Sequence, residues 1–134
     1  MHVGESSIVG STSTGFPQGG VCSALFWVIA FDPAIKILNK HNVIGNGFAD
    51  DCAAVIGGSS IKTMVGKLQK VVNELVAWGE KCGLKFNASK TAAIHFTRRQ
   101  KEAEHWLLVN GKKIEYSDST KYLGVILDLS LIHI

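Results

Sequence analysis

Two adjacent aspartates, Asp50 and Asp51, lie between two short apolar segments, and this stretch constrains the fold more than any other. Val43-Ile44 precedes the pair, and Ala53-Ala54-Val55-Ile56 follows it before Gly57-Gly58. Short β-branched segments around a small polar turn predict a β-hairpin with both acids at its tip. Successive strand residues face opposite sides of a sheet, so neighbouring carboxylates approach one point only where the backbone turns.

The closeness of the two carboxylates gives the pair a possible chemical use. Like charges held close together repel, and a divalent cation such as Mg²⁺ or Mn²⁺, bound through carboxylate oxygens, compensates them. The alternative is that Asp50-Asp51 is only a polar turn, since turns favour Asp for local backbone reasons. The hairpin alone leaves both interpretations open.

Three further segments accompany the Phe48-Ala49-Asp50-Asp51 stretch. In chain order they are Gly15-Phe16-Pro17-Gln18-Gly19-Gly20-Val21-Cys22-Ser23, Gly83-Leu84-Lys85-Phe86-Asn87-Ala88-Ser89-Lys90-Thr91 and Tyr122-Leu123-Gly124. Together the four segments resemble the reverse transcriptases of non-LTR (LINE-type) retrotransposons, which carry such motifs in this order. The resemblance extends over residues 12 to 128. It implies a partial polymerase palm.

Helical periodicity surrounds the acidic hairpin on both sides. A mostly buried helix is expected over residues 21 to 38, with its start near Gly20 or Ser23 and a kink or restart at Pro33. A second, amphipathic helix is expected from a cap at Ser59-Ser60 to about residue 82. Its apolar stripe comprises Ile61, Met64, Val65, Leu68, Val71, Val72, Leu75 and Val76.

Strand patterns follow the second helix. Strands are expected over residues 91–97, 106–109, 112–116 and 122–127, with Asn110-Gly111 as a hairpin turn. The predicted fold class is therefore α+β, with an antiparallel sheet that includes the Asp-Asp hairpin and helices packed on one face. Residues 15 to 128 form the partial palm in this prediction. Residues 1 to 14 are expected to be disordered or an edge segment, and 129 to 134 an irregular, truncated tail.

Bulk composition is that of one folded domain. The chain has 134 residues, of which 46% are hydrophobic and 19% charged. From residue 60 onward it carries 12 basic and 7 acidic residues, against 2 and 4 before, an asymmetry compatible with nucleic acid or with a solvated face. Three cysteines without a C-x-x-C pair suggest reduced, buried thiols in an intracellular chain of the cytoplasm or nucleus. No membrane segment is predicted.

The resemblance implies roles for the hairpin residues. Asp50 is expected to be a catalytic metal ligand and Asp51 the weaker ligand beside it, in two-metal nucleotidyl transfer with Mg²⁺ or Mn²⁺. Phe48, where the family often has Tyr, is expected near the primer terminus. The implied partners are an RNA template, a DNA primer, deoxynucleoside triphosphates and the remainder of the polymerase polypeptide.

The upstream loop is the second implied site. By resemblance, Gly15, Phe16, Pro17, Gln18 and Gly19 contact the incoming nucleotide and template. The glycines let the backbone approach a base pair closely, and the Gln18 amide can both donate and accept hydrogen bonds. The alternative is a plain loop at the entry to a helix.

Lys90 is the third implied catalytic residue. A cation near the β- and γ-phosphates could orient them or donate a proton to departing pyrophosphate. A solvated surface lysine is the alternative. Arg98, Arg99 and Lys101 could contact a phosphate backbone, although a solvated loop is the preferred interpretation.

One part of the family pattern has no counterpart in this chain. The family's first metal-binding Asp lies well upstream of the Gly-x-Pro-Gln segment, where this chain has only Glu5 as an acid. We therefore expect the isolated chain to be inactive as a polymerase. The alternative function is a non-enzymatic remnant that binds nucleic acid or protein through its basic strands.

Overall fold

A computed structural model describes residues 2–3, 6–7, 15–17, 19–97 and 105–130. These residues form two helices and eight short strands. In chain order the elements are β1 (His2–Val3), β2 (Ser6–Ser7), α1 (Ser23–Lys40), β3 (Ile44–Phe48), β4 (Asp51–Val55), α2 (Ile61–Lys81), β5 (Leu107–Val109), β6 (Lys112–Ile114), β7 (Ser119–Tyr122) and β8 (Val125–Asp128). The predicted α+β class is confirmed.

The strands pair as four antiparallel hairpins, β1–β2, β3–β4, β5–β6 and β7–β8. Within the described ranges no ladder joins one hairpin to another, so four two-stranded sheets replace the single predicted sheet. Each of the three hairpins after α1 is closed by a two-residue turn. Such turns specify pairing locally, whereas joining hairpins into one sheet depends on partners distant in the sequence.

α1 begins and ends two residues later than the periodicity predicts. It continues through Pro33 as one helix, so the predicted restart does not occur, although Pro33 has no N–H to bond the carbonyl of Ile29. The N-cap is Cys22, and its side chain makes no capping hydrogen bond. The hydroxyl of Ser23 instead donates to the carbonyl of Pro17 at 2.7 Å.

The burial of α1 differs from the prediction of a mostly buried helix. Only Phe31, Ala34 and Leu38 are buried, and they lie on one face. Val28 and Ile29, in contrast, are 66% and 61% exposed. The reason is that α1 carries apolar side chains on all sides, whereas α2 and β3 cover only one of them.

α2 matches its prediction closely. Ser60 is the N-cap, and its hydroxyl oxygen accepts a hydrogen bond from the N–H of Thr63 at 3.5 Å. At the other end Gly83 takes a φ of +71°, and the N–H of Leu84 donates to the carbonyl of Gly79 at 2.7 Å. This is the Schellman arrangement that ends many helices. All eight residues of the predicted apolar stripe are buried or half-buried.

The core lies where α1, α2 and β3 meet. Its buried members are Phe31, Ala34, Leu38, Val43, Val71 and Leu75. Gly45 and Gly47 of β3 face α1, and a Cβ atom at Gly47 would lie 2.5 Å from Cε1 of Phe31. The two glycines therefore let the hairpin approach the helix more closely than any larger residue allows.

A polar contact also joins the two helices near the end of α1. The Lys40 ammonium lies 3.0 Å from Oε2 of Glu74 in α2, and Nε2 of His41 lies 2.7 Å from Oε1. The hydrogen bond from Lys40 lowers the pKa of the Glu74 carboxyl, and the hydrogen bond from His41 lowers it to a smaller extent.

The C-terminal segments show one correct turn prediction and two wrong strand predictions. Asn110 and Gly111 both have positive φ, as a type I′ turn requires, and close the β5–β6 hairpin as predicted. A single strand over residues 122–127 is wrong, because Leu123 and Gly124 also take positive φ and form a second such turn. A strand over residues 91–97 is wrong too, since only an isolated bridge forms there, at Ala93.

Two whole-chain expectations can also be compared with the structure. Neither α1 nor α2, the helices of the described ranges, is long and apolar enough to cross a membrane. All three cysteines are free, but the expected burial is wrong for two of them: Cys22 and Cys82 are exposed, and Cys52 is half-buried. The expectations for residues 1, 4–5, 8–14 and 131–134 lie outside the described residues.

Candidate active site

Asp50 and Asp51 lie at the closed end of the β3–β4 hairpin. Phe48 pairs with Asp51, and Ala49 and Asp50 form the turn between them. Both aspartates are exposed. Ala49 has a φ of +50°, a left-handed conformation that costs an L-residue about 1–2 kcal/mol. Backbone strain of this kind concentrates at functional sites, and here it lies directly before Asp50.

The two carboxylates suit a hard divalent cation in part. Mg²⁺ commonly binds through one or two carboxylates and keeps several waters, so the pair fits a weak site. The described residues contain no group of three or more His, Cys, Asp and Glu side chains that could enclose a metal. A cation bound by Asp50 and Asp51 would therefore have no further His, Cys, Asp or Glu ligand among the described residues.

Cys52 follows the acidic pair in β4. Its thiol is half-buried, and this burial raises the pKa of Cys52 above its usual value. Cys52 pairs with Gly47 of β3 and packs against the core, on the side of the hairpin that faces α1.

The loop before α1 has the backbone shape that its glycines allow. Gly15 and Gly19 have φ values of +98° and +84°, which strain other residues. The N–H of Gly20 donates to the carbonyl of Pro17 at 3.1 Å, and the loop closes there. The ring of Phe16 stacks on that of Phe26 with centroids 5.7 Å apart. Gln18 lies outside the described residues.

α1 brings the loop and the acidic hairpin together. The Ser23 hydroxyl donates to Pro17 in the loop, and the Trp27 indole Nε1–H donates to the carbonyl of Ala49 in the hairpin turn. Ser23 and Trp27 are four residues apart and therefore lie on one face of the helix. Two segments separated by about thirty residues in the chain are thus attached to one helical turn.

Sequence reasoning did not identify Trp27 as part of this site. Its place in the helical pattern offers one signal: it precedes Phe31 by four residues and so shares the face that packs on β3. A second signal is chemical, because an indole N–H usually finds a hydrogen-bond partner when its ring is covered.

Phe48 is 62% exposed at the end of β3. Strand alternation places it on the sheet face opposite Gly47, which contacts α1. Its ring is therefore open to a ligand on the far side of the hairpin from the helix.

Lys90 lies outside the set of contacts that joins the loop before α1, α1 itself and the acidic hairpin. It ends a turn in which its N–H donates to the carbonyl of Asn87 at 3.1 Å, and its side chain is exposed. The turn is attached to the β5–β6 hairpin, since the Lys112 ammonium donates to the Ser89 hydroxyl at 3.1 Å. The contacts that join the loop to the acidic hairpin do not include this turn. Arg98, Arg99 and Lys101 lie outside the described residues.

Comparison with known proteins identifies the family. A family model for "Reverse transcriptase (RNA-dependent DNA polymerase)" matches residues 4–127. The chain is 29% identical over 133 residues to the RNA-directed DNA polymerase from mobile element jockey of Drosophila melanogaster, and 30% identical over 133 residues to that of Drosophila funebris. Each alignment covers 96% of this chain and 14% of the relative.

A relative from another element gives the same result. The chain is 27% identical over 120 residues to the Retrovirus-related Pol polyprotein from type-1 retrotransposable element R1 2 of Nasonia vitripennis, covering 83% of this chain and 28% of that protein. No solved structure matches the chain. The chain thus spans about 14% of the length of the jockey polymerases, and the resemblance to non-LTR retrotransposon enzymes is confirmed. Because the family model covers most of its length, the chain belongs to the reverse transcriptase (RNA-dependent DNA polymerase) family.

Proposed function

We propose that this chain is the part of an RNA-directed DNA polymerase palm that carries the catalytic Asp-Asp hairpin. The observation that carries the proposal is the attachment of the Gly15–Pro17 loop and the Asp50 turn to one face of α1, through Ser23 and Trp27. In the intact polymerase, a helix that holds both segments would present a nucleotide-contacting loop beside a metal-binding turn. The family match over residues 4–127 supports this assignment.

Asp50 and Asp51 are the proposed catalytic metal ligands. Asp50, in the turn itself, is the direct ligand, and Asp51, at the start of β4, is the weaker one. Mg²⁺ is the proposed physiological ion, and Mn²⁺ can replace it because both prefer oxygen ligands. When bound in such polymerases, divalent ions activate the primer 3′-hydroxyl and hold the triphosphate of the incoming nucleotide.

The proposed substrates are an RNA template, a DNA primer and deoxynucleoside triphosphates. In this proposal the loop of residues 15–19 contacts the nucleotide and template, and the exposed ring of Phe48 packs near the primer terminus. Lys90 supplies a positive charge toward the nucleotide phosphates once the rest of the polymerase polypeptide completes the site. The non-enzymatic alternative is not favoured, since no observation on the described basic strands supports it over the family function.

The metal assignment is tested by titrating the labelled chain with Mn²⁺ and following paramagnetic broadening of backbone amide resonances. We expect residues 48–52 to broaden first and half-saturation to need a high Mn²⁺ concentration, because two carboxylates and water make a weak site. Asp50→Asn should remove most of this broadening. Asp32→Asn is the matched control, because Asp32 is an exposed α1 carboxylate that pairs with Lys36 at a surface site.

Two results would contradict the assignment. Absence of broadening at residues 48–52 in the wild-type chain would show that the turn does not bind the ion. Equal broadening in wild type and Asp50→Asn would show that the ion binds elsewhere.

Primer extension by the isolated chain is expected to be undetectable. Among the described residues no third acid joins Asp50 and Asp51, and loss of even one electrostatic contributor typically slows a reaction by roughly 10²–10³. Positioning of primer and template supplies much of the remaining reduction of the barrier, and this chain spans about 14% of the length of the jockey polymerases. The measurement is extension of oligo(dT) on poly(rA) with Mg²⁺ or Mn²⁺. Extension that Asp50→Asn abolishes would contradict the expectation and would point to a further acid, with Glu5 as the first to replace.

A further inference from the structure

We propose that Trp27 is a positioning residue for the divalent-cation site. Its indole N–H holds the carbonyl of Ala49 and so sets the orientation of the peptide that leads into Asp50. The inference rests on the proposed function of Asp50 as a metal ligand. It adds a residue of α1 that touches neither metal nor substrate but acts through the turn.

The carbonyl that Trp27 binds belongs to the peptide unit between Ala49 and Asp50. A peptide unit is planar, so the Ala49 carbonyl and the Asp50 N–H turn together as one rigid plane. Ala49 is already confined by its left-handed φ of +50°. Trp27 also holds the peptide plane between Ala49 and Asp50. The direction in which the Asp50 side chain leaves the backbone is therefore set by α1.

Trp27 is itself held in place by packing. Its ring stacks on Phe31 at a centroid distance of 5.7 Å with 23° between the planes. Phe31 in turn meets the ring of Trp78 from α2 edge-on, at 5.7 Å and 83°. A donor fixed by two further rings is preorganised, so the hydrogen bond to Ala49 costs little ordering.

The order of the contacts between β3 and α1 also indicates that Trp27 positions the turn. Gly45 and Gly47 alternate along β3 and therefore share one side of it, and Ala49 follows in the turn at the end of the strand. Their contacts on α1 are Leu38, Phe31 and Trp27, respectively, in the order expected for a strand that runs antiparallel to the helix. The first two contacts are steric and set how near the hairpin lies. The third is a directed polar bond at the tip, where it sets orientation.

The expected effect of removing the donor follows from the worth of one neutral hydrogen bond. A net contribution of roughly 1 kcal/mol corresponds to about a fivefold change in an equilibrium constant. Trp27→Phe should therefore raise amide hydrogen exchange at residues 49–51 about fivefold through local opening. The Mn²⁺ concentration for half-maximal broadening at residues 48–52 should rise by about the same factor.

The experiment compares wild type, Trp27→Phe and Trp78→Phe in both measurements. Trp78→Phe is the matched control, because it makes the same change in a ring that also packs on Phe31 but belongs to α2. We expect the control to leave the Mn²⁺ midpoint unchanged. A second variant carries benzothienylalanine at position 27, which keeps the fused ring and lacks only the N–H, and it should reproduce the Trp27→Phe result without loss of packing.

The outcomes separate this inference from the proposed function. Absence of Mn²⁺ broadening in the wild-type chain overturns the metal assignment and this inference with it. Normal binding in wild type with an unchanged midpoint in the benzothienylalanine variant overturns the positioning role alone. An equal midpoint shift in Trp27→Phe and Trp78→Phe also overturns it, because the effect would then come from core packing.

Discussion

α1 and α2 are helices of similar length, 18 and 21 residues, that use their apolar side chains in opposite ways. α2 collects them in one stripe that is buried or half-buried throughout. α1 carries them around its circumference, and Val28 and Ile29 remain mostly exposed while Leu38 is fully buried. The periodicity of α2 therefore identifies its buried face, whereas the composition of α1 does not.

The two helices also differ in whether local chemistry specifies their ends. α2 begins with a side-chain cap at Ser60 and ends at Gly83 in a Schellman motif, so both boundaries follow from local chemistry. α1 begins at Cys22 without a capping side chain and contains Pro33. Its position depends on contacts with α2, β3 and the preceding loop. The helix nearest the candidate site is therefore the one whose placement is set by tertiary contacts.

The largest expected effect is a difference in the free energy of unfolding between substitutions on the two faces of α1. Leu38→Ala, at a fully buried position, should lower the free energy of unfolding by about 2–5 kcal/mol, because it removes buried methyl groups and leaves a cavity. Ile29→Ala, at an exposed position of the same helix, should change it by less than about 0.5 kcal/mol. Urea unfolding followed by circular dichroism measures both. Comparable losses in the two variants would show that the outer face of α1 is covered in solution.

A smaller effect distinguishes the two N-caps. Ser60→Ala should cost about 1 kcal/mol, because the N–H of Thr63 loses its acceptor at the start of α2. Cys22→Ala should be nearly neutral, since the Cys22 side chain makes no capping bond. The same urea measurement applies. A cost at Cys22 equal to that at Ser60 would contradict the claim that α1 lacks a local start signal.

The smallest expected effect concerns pH and the contact that joins the helices. Lys40, the last residue of α1, and His41 directly after it lower the pKa of Glu74, so this carboxylate stabilises the folded state fully above its unfolded pKa, roughly 4.3. The contribution should disappear as pH falls through the lower folded pKa. Because the carboxylate is exposed, solvent screening keeps the effect small.

The pH measurement is a difference between variants. The urea midpoint of wild type minus that of Glu74→Gln should decrease between about pH 5 and pH 3. Glu80→Gln is the control, because it removes a carboxylate from the same helix and leaves the contact of Glu74 with Lys40 and His41 intact. A difference that is constant across this range would mean that Lys40 and His41 do not favour the ionised Glu74.

Local signals in the sequence were sufficient for some elements and insufficient for others. Ser60, Gly83 and Asn110-Gly111 act through bonds to near neighbours, so the α2 boundaries and the β5–β6 hairpin were predictable. The exposed side of α1 was not predictable, because periodicity reports apolar positions and not which neighbours cover them. Leu123 in a left-handed turn conformation had no local signal, since leucine rarely adopts positive φ.

The candidate site divides in the same way. The position of Asp50 and Asp51 at the closed end of a hairpin could be predicted from the short apolar segments on either side of a polar turn. The hydrogen bond from Trp27 to Ala49 could not, because it joins residues 22 positions apart and depends on how closely α1 approaches β3. Metal binding and substrate contacts at these residues remain predictions, and Gln18 lies outside the described residues.

The two glycines of β3 limit how this hairpin can drift in sequence. A methyl group at Gly45 or Gly47 would collide with Leu38 or Phe31, so the strand would have to lift away from α1. Positions 44, 46 and 48 point the other way and can accept new side chains without this penalty. Mutations can therefore accumulate on the outer face of the hairpin while the distance from α1 to the acidic turn stays the same. A copy of this sequence in which either glycine is replaced would therefore have a changed distance between α1 and the acidic turn, even with both aspartates present.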